Sequence, residues 1–208
     1  MAKVTQAHID ARRADILAAA TEIFANKGVE HTTMQEIAVR AGLSAGSIYH
    51  YFADKDELLE STLAEQQRQT MERFATAEST HSSPLEALLD VGSQVLTEMC
   101  SRQQVLLHLE TMLAGAREPD AFAAAHRALH EDVVALIRRL VYAAQDAGEI
   151  APDIDPQVLA LLCNATVHGI EVSFLEIDAK VDPRAPLELL ADLLKRSAPS
   201  TRAQTATP

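Results

Sequence analysis

Between Thr33 and Lys55 the chain presents small, hydroxylated, aromatic and basic residues: Thr33, Ser44, Ala45, Gly46, Ser47, Tyr49, His50 and Lys55. Their chemistry is hydrogen bonding and close approach, not bond making. Ser and Thr hydroxyls, a Tyr phenol and a Lys ammonium all pair with phosphate oxygens. Small residues let a backbone approach base edges, and a methyl group can touch a thymine methyl. Nothing in the chain competes as catalytic machinery. There is no G-x-S-x-G, P-loop or G-x-G-x-x-G. Cys163 and His168 lie too close on one helix to act as nucleophile and base.

Short helices must position these groups. Thr33 is followed three residues later by Glu36, the spacing of a capping box. Met34, Ile37, Ala38 and Ala41 then recur at helical spacing. Gly42 stands where a helix end turns left-handed. Ser44 is a second N-cap, with Ser47 three residues on. Ile48 and Phe52, at i and i+4, share the inner face of a second helix. That leaves Ala45, Gly46, Ser47, Tyr49 and His50 facing outward. Asp54 caps the next helix and Lys55 opens it; a Lys beside a helix N-terminus suits a phosphate. Helix, tight turn and second helix form the layout that enters a DNA major groove.

This stretch resembles the DNA-binding domain of the TetR family of bacterial transcriptional regulators. The matching residues are Ile16, Phe24, Gly28, Thr32-Thr33, Ile37-Ala38, Ala41-Gly42, Ser44, Gly46, Tyr49-His50-Tyr51-Phe52, Lys55 and Leu58. The resemblance implies an all-helical homodimer. Three small helices would bind double-stranded operator DNA, and a larger domain would bind a small-molecule effector and pair the subunits.

The 208 residues carry a net charge of −12, unusual for a nucleic-acid binder. Through Leu58 there are six Lys/Arg against eight Asp/Glu; beyond it, twelve against twenty-two. The acidity thus sits mainly in the second part. Lys3, Arg12, Arg13, Arg40 and Lys55 must supply local positive charge, so modest non-specific affinity and a limited salt slope are expected. No run approaches the roughly 18 uninterrupted apolar residues of a membrane helix. The N-terminus lacks the apolar stretch of a secretory signal. Cys100 and Cys163 read as reduced, buried thiols. The expectation is a cytoplasmic protein with no membrane partner.

The expected fold class is all-α. Residues 1–54 form a three-helix helix-turn-helix domain, and 55–198 form a helical ligand-binding and dimerisation domain. Residues 199–208, rich in Ser, Thr, Ala and Pro, form a disordered tail. Pro84 after Ser83, and Pro156 after Asp155, mark helix starts. The helices near 156–177 and 186–196 are apolar on most sides and are candidates for a dimer bundle. Polar residues interrupt other apolar stripes: His108, His126, and Asn164 with His168 and Glu171. Together with Met99, Met112 and Phe122 as walls they suggest an apolar pocket with a few orienting polar groups. Asn164, His168 and Glu171 face either that pocket or the partner subunit. His126 and His130, at i and i+4 beside Glu131, could ligate a metal, but no cysteine or H-E-x-x-H supports it. No metal and no cofactor are expected. The reading is a non-enzymatic, ligand-responsive regulator, a homodimeric repressor released from its operator by a small molecule. The alternative is a helical small-molecule binding protein whose helix-turn-helix no longer regulates.

Overall fold

The computed structural model describes residues 5–99, 102–117, 121–177 and 181–198. Among these residues are eight α-helices, one short 3-10 turn and no strand. The helices are α1 (Gln6–Lys27), α2 (Met34–Arg40), α3 (Lys55–Thr80), α4 (Pro84–Met99), α5 (Arg102–Arg117), α6 (Ala121–Asp146), α7 (Pro156–Glu176) and α8 (Ala185–Ser197). The all-α expectation holds. The tail at 199–208, Lys3 and Cys100 lie outside the described residues.

Local signals set most of the boundaries. At the start of α2 the Glu36 amide donates to the Thr33 hydroxyl, 3.3 Å, and the Thr33 amide donates to the Glu36 carboxylate, 3.0 Å. The two residues thus satisfy each other's orphan donors. At the other end Gly42 takes φ +70°. The Leu43 amide reaches back to the Ala38 carbonyl, 2.8 Å, and the Gly42 amide to that of Val39, 3.1 Å. That is a Schellman ending, and only a residue without Cβ adopts its backbone freely. Asp155 accepts the amides of Gln157 and Val158 at the start of α7, and the Ser83 hydroxyl accepts that of Glu86 in α4.

One element differs from expectation. The second helix of the helix-turn-helix is a 3-10 turn over Ile48–His50, flanked by turns. Tight i to i+3 bonds carry it: Ser47 to Ser44, His50 to Ser47 and Tyr51 to Ile48. Gly46 costs entropy in a helix, and Ile48, Tyr49 and Tyr51 are poor helix formers. Too few residues remain to repay α-helix nucleation.

Contacts divide the chain into two compact units, Met1–Gln69 with Arg102–Leu129, and Thr70–Ser101 with His130–Pro208. The unit holding the helix-turn-helix also takes in the first part of α3, α5 and the start of α6. Its core is Ile16, Ala20, Phe24, Met34, Ile37, Ile48, Phe52 and Leu58, completed by Leu107 from α5. In the second unit α4, α7 and α8 pack mutually. Phe74, Leu85, Val91, Ile137, Leu140, Val141, Leu159, Cys163 and Leu194 form its main core. Leu96, Ile170 and Leu187 form a smaller cluster. Burial raises the Cys163 thiol to about 11, which makes it an unreactive core residue, as expected.

The capping box has a pH signature. The Lys27 ammonium first, then the Thr33 amide and hydroxyl, lower the Glu36 carboxyl from 4.5 to about 2. A carboxylate held lower in the folded state stabilises above its unfolded value and loses that contribution as pH falls through the folded one. The contribution of Glu36 is thus complete above 4.5 and lost between 4.5 and about 2. Thermal melts across this window should show a shallower loss of stability for Glu36→Gln than for the parent. Identical slopes would mean the capping carboxylate adds nothing.

Candidate functional site

The 3-10 turn presents an open edge. Ile48 and Phe52 are fully buried and anchor it to the core. Ser44, Ala45, Gly46, Tyr49 and His50 are exposed, and Ser47 is half-buried. The Ser44 and Ser47 hydroxyls pair at 2.6 Å. Tyr49 is 56% exposed, so its phenol projects outward from a rigid base. Thr33 is exposed at the start of α2. The turn is braced from behind by Arg13 of α1. Its guanidinium donates to the Tyr51 carbonyl and lies 4.2 Å over the Phe52 ring, a cation–π contact.

Lys55 sits differently from the phosphate clamp expected of it. Its ammonium donates to the carbonyls of Val29, 2.8 Å, Thr32, 3.3 Å, and Glu30, 3.4 Å. An ammonium has three donors, and three carbonyls take them. The first turn of α3 is likewise occupied: the Glu57 amide donates to Asp54, 2.8 Å, and the Ala53 amide to Glu57, 2.6 Å. Lys55 therefore fixes the loop between α1 and α2. Other cations are also matched within the unit: Arg12 to Asp15, Lys27 to Glu36, Arg40 to Glu22.

Glu110 of α5 was not found by sequence reasoning. Its carboxylate accepts the Val29 amide, 3.3 Å, on the same loop. A Cβ on Gly28, whose φ is +80°, would lie 2.9 Å from a Glu110 oxygen. Glycine there permits both the backbone conformation and the approach of α5. Glu110 and the buried Leu107 lie one turn apart on α5, so a single helix face supplies both contacts. Val29 and Glu110 are far apart in sequence, and no local pattern signals such a pair.

Some of the expected pocket residues meet within each unit. In the first unit the rings of His108 and His126 lie 6.4 Å apart, and His126 is 8% exposed. In the second, His130 meets His168 edge-on at 5.5 Å, and His168 Nδ1 lies 3.5 Å from a Glu171 oxygen. His126 and His130 thus each meet a ring from another helix. Asn164 is half-buried. Met112, expected as a wall, is 41% exposed. The side chains of Met99 and Phe122 lie outside the described residues.

These placements separate two roles that the sequence had grouped. Lys55→Ala should cost about 1–2 kcal/mol of stability, the scale of charged hydrogen bonds lost from a half-buried site. Tyr49→Phe should change stability by less than about 0.5 kcal/mol, as for other exposed positions. Denaturant melts of both variants decide this; a fully stable Lys55→Ala variant would show that the carbonyl contacts contribute nothing.

Residues 16–62 match the model of bacterial regulatory proteins of the tetR family. Residues 84–199 match that of the BetI-type transcriptional repressor C-terminal domain. The HTH-type transcriptional regulator UidR of Escherichia coli is 29% identical over 163 residues, 76% of this chain and 79% of the relative. The A-factor receptor protein of Streptomyces griseus is 28% identical over 162 residues, 76% of this chain and 52% of the relative. The structure of Salmonella enterica GusR superposes with a TM-score of 0.70 at 27% identity, covering 93% of this chain and 99% of that one. A core-anchored turn with an exposed polar edge, and family models matching both its parts, place this chain in the TetR family of bacterial transcriptional regulators.

Proposed function

We propose that this protein is a cytoplasmic, homodimeric repressor that binds an operator through the Thr33–His50 surface and is released by a small molecule. The carrying observation is the exposed Ser44–His50 edge mounted on the buried Ile48 and Phe52. Ala45 and Gly46 would bring the backbone to the bases. Ser44, Ser47 and His50 would contact base edges or phosphates, and Thr33 and Tyr49 would bond phosphates. Lys55 supports this surface through the α1–α2 loop.

A helix-turn-helix reads paired half-sites, which calls for a two-fold dimer. The second unit offers a face for it. Val158, Leu161 and Leu162 of α7 are more than half exposed, as are Leu189 and Leu193 of α8. Exposed apolar side chains grouped at helical spacing suit an association surface. α7 is also long and apolar enough to cross a membrane by composition, with a mean hydropathy of 1.6. Its inner stripe is packed in a protein core, however, so its outer face suits a second copy of the chain.

Effector response is supported by the A-factor receptor, a relative named as a receptor. α5 is a suitable route within the first unit. His108 faces His126, while the neighbouring Leu107 enters the helix-turn-helix core and Glu110 holds Val29. A molecule that moved α5 would disturb the loop behind the DNA-reading edge. It must favour the DNA-incompetent state, typically by 1–3 kcal/mol, about 5- to 150-fold in operator affinity.

Two expected outcomes test this reading. In a gel shift against DNA flanking its own gene, the full chain should bind as a dimer. Leu193→Arg should sediment as a monomer and bind at least about tenfold more weakly, because paired half-sites lose their avidity. A dimeric variant would place the interface elsewhere. A small-molecule extract of the host should lower operator affinity, and His126→Ala should blunt that effect. An extract without effect would end the induction reading, and a normally responding variant would move the pocket away from His126.

A further inference from the structure

Five polar or charged side chains are buried among the described residues: Thr32, Thr62, Thr111, His126 and Glu171. The three hydroxyls bond backbone carbonyls of their own segments: Thr32 to Gly28, Thr62 to Leu58, Thr111 to His108. They are ordinary satisfied groups. Glu171 is different. It is 1% exposed, and its Oε1 has no hydrogen-bond partner. Its Oε2 has only His168 Nδ1, at 3.5 Å, the outer limit of a hydrogen bond.

The surroundings make that unusual. The other buried residues of α7 are Leu159, Ala160, Cys163 and Ile170. Val167 and Phe174, one turn to either side, pack against the cluster of Leu96, Ile170 and Leu187. An apolar side chain at 171 would continue the stripe and avoid the cost of a buried, unpartnered carboxyl oxygen. Beside it His168 and His130 add imidazoles that can donate or accept. Few polar groups against an apolar wall is the pattern of a ligand site.

We propose that Glu171 anchors a hydrogen-bond-donating group of the effector, a hydroxyl or an amino group. The effector is thus an apolar molecule with a donor at one end, and carboxylic acids are rejected. This rests on the ligand-responsive reading above. The donor fills the place at Oε1 that no protein group takes, and the apolar remainder lies on the Val167–Phe174 side of α7. A carboxylate would set one acceptor against another at Oε1 and leave that oxygen unpaired. Recognition of this kind discriminates strongly, because the wrong ligand leaves a buried polar group unmatched.

The test uses the full chain and three probes of one chain length: octylamine, octanol and octanoate. Calorimetric titration should show the amine or the alcohol binding at least tenfold more tightly than the carboxylate. Amine above alcohol identifies a cationic donor, and equality a hydroxyl. Glu171→Met should abolish the preference and melt at or above the parent temperature, because an apolar group replaces an unpartnered carboxyl. Octanoate binding as tightly as the donors, no probe binding, a preference that survives Glu171→Met, or a Glu171→Met variant that melts lower would each overturn the proposal. So would displacement of octylamine by zinc added alone, which would make the site a metal centre. If donors bind through Glu171 without changing operator affinity, this site stands and induction through it fails. If host extract releases operator from a protein with no donor preference, induction stands and this site falls.

Discussion

The loop from Gly28 to Thr32 is the constraint on which the proposed DNA-reading surface depends. It must close the gap between α1 and α2 without secondary structure of its own, so its backbone groups need partners. Lys55 takes three of its carbonyls from α3, and Glu110 takes the Val29 amide from α5. Thr32 closes the loop on itself through the Gly28 carbonyl, 2.7 Å. The two outside grips come from different elements, α3 and α5. The loop's position therefore reports on α3 and α5 together, and Thr33, which starts α2, inherits that position.

This arrangement is how an acidic protein would present the proposed DNA-binding face. Several cations of the first unit are engaged within it: Arg13 braces the 3-10 turn, Lys27 and Arg40 pair with glutamates, Lys55 clamps the loop. What remains at the exposed edge is mainly hydroxyls, a phenol, an imidazole and backbone. Such groups read position and shape with little long-range attraction. Under the proposed two-fold reading, affinity would then depend on pairing two copies of this surface.

The sequence was most legible where partners are close along the chain. Thr33 with Glu36, Gly42 after α2, Ser83 before Pro84 and Asp155 before Pro156 are all contacts within a few residues, and each appears as read. The 3-10 turn was less legible, because a Ser N-cap and an i, i+4 apolar pair fit a full helix equally well. Long-range partners left no trace: nothing near Lys55 names Val29, and nothing near Glu110 names Gly28. Periodicity also cannot tell a covered stripe from an open one. Met112 lies at a helical apolar position, yet is exposed. Glu171 was visible as a polar intruder, but not the missing partner at Oε1.

The central claim is that two copies of the Thr33–His50 surface read one DNA site. DNase I footprinting of the parent protein on the DNA flanking its gene tests it most directly. The account predicts one protected near-palindrome whose half-sites lie about one helical turn, or a multiple of it, apart. It also predicts that this protection fades when host extract is added. Protection without two-fold symmetry, or none at concentrations where the protein is dimeric, would contradict it.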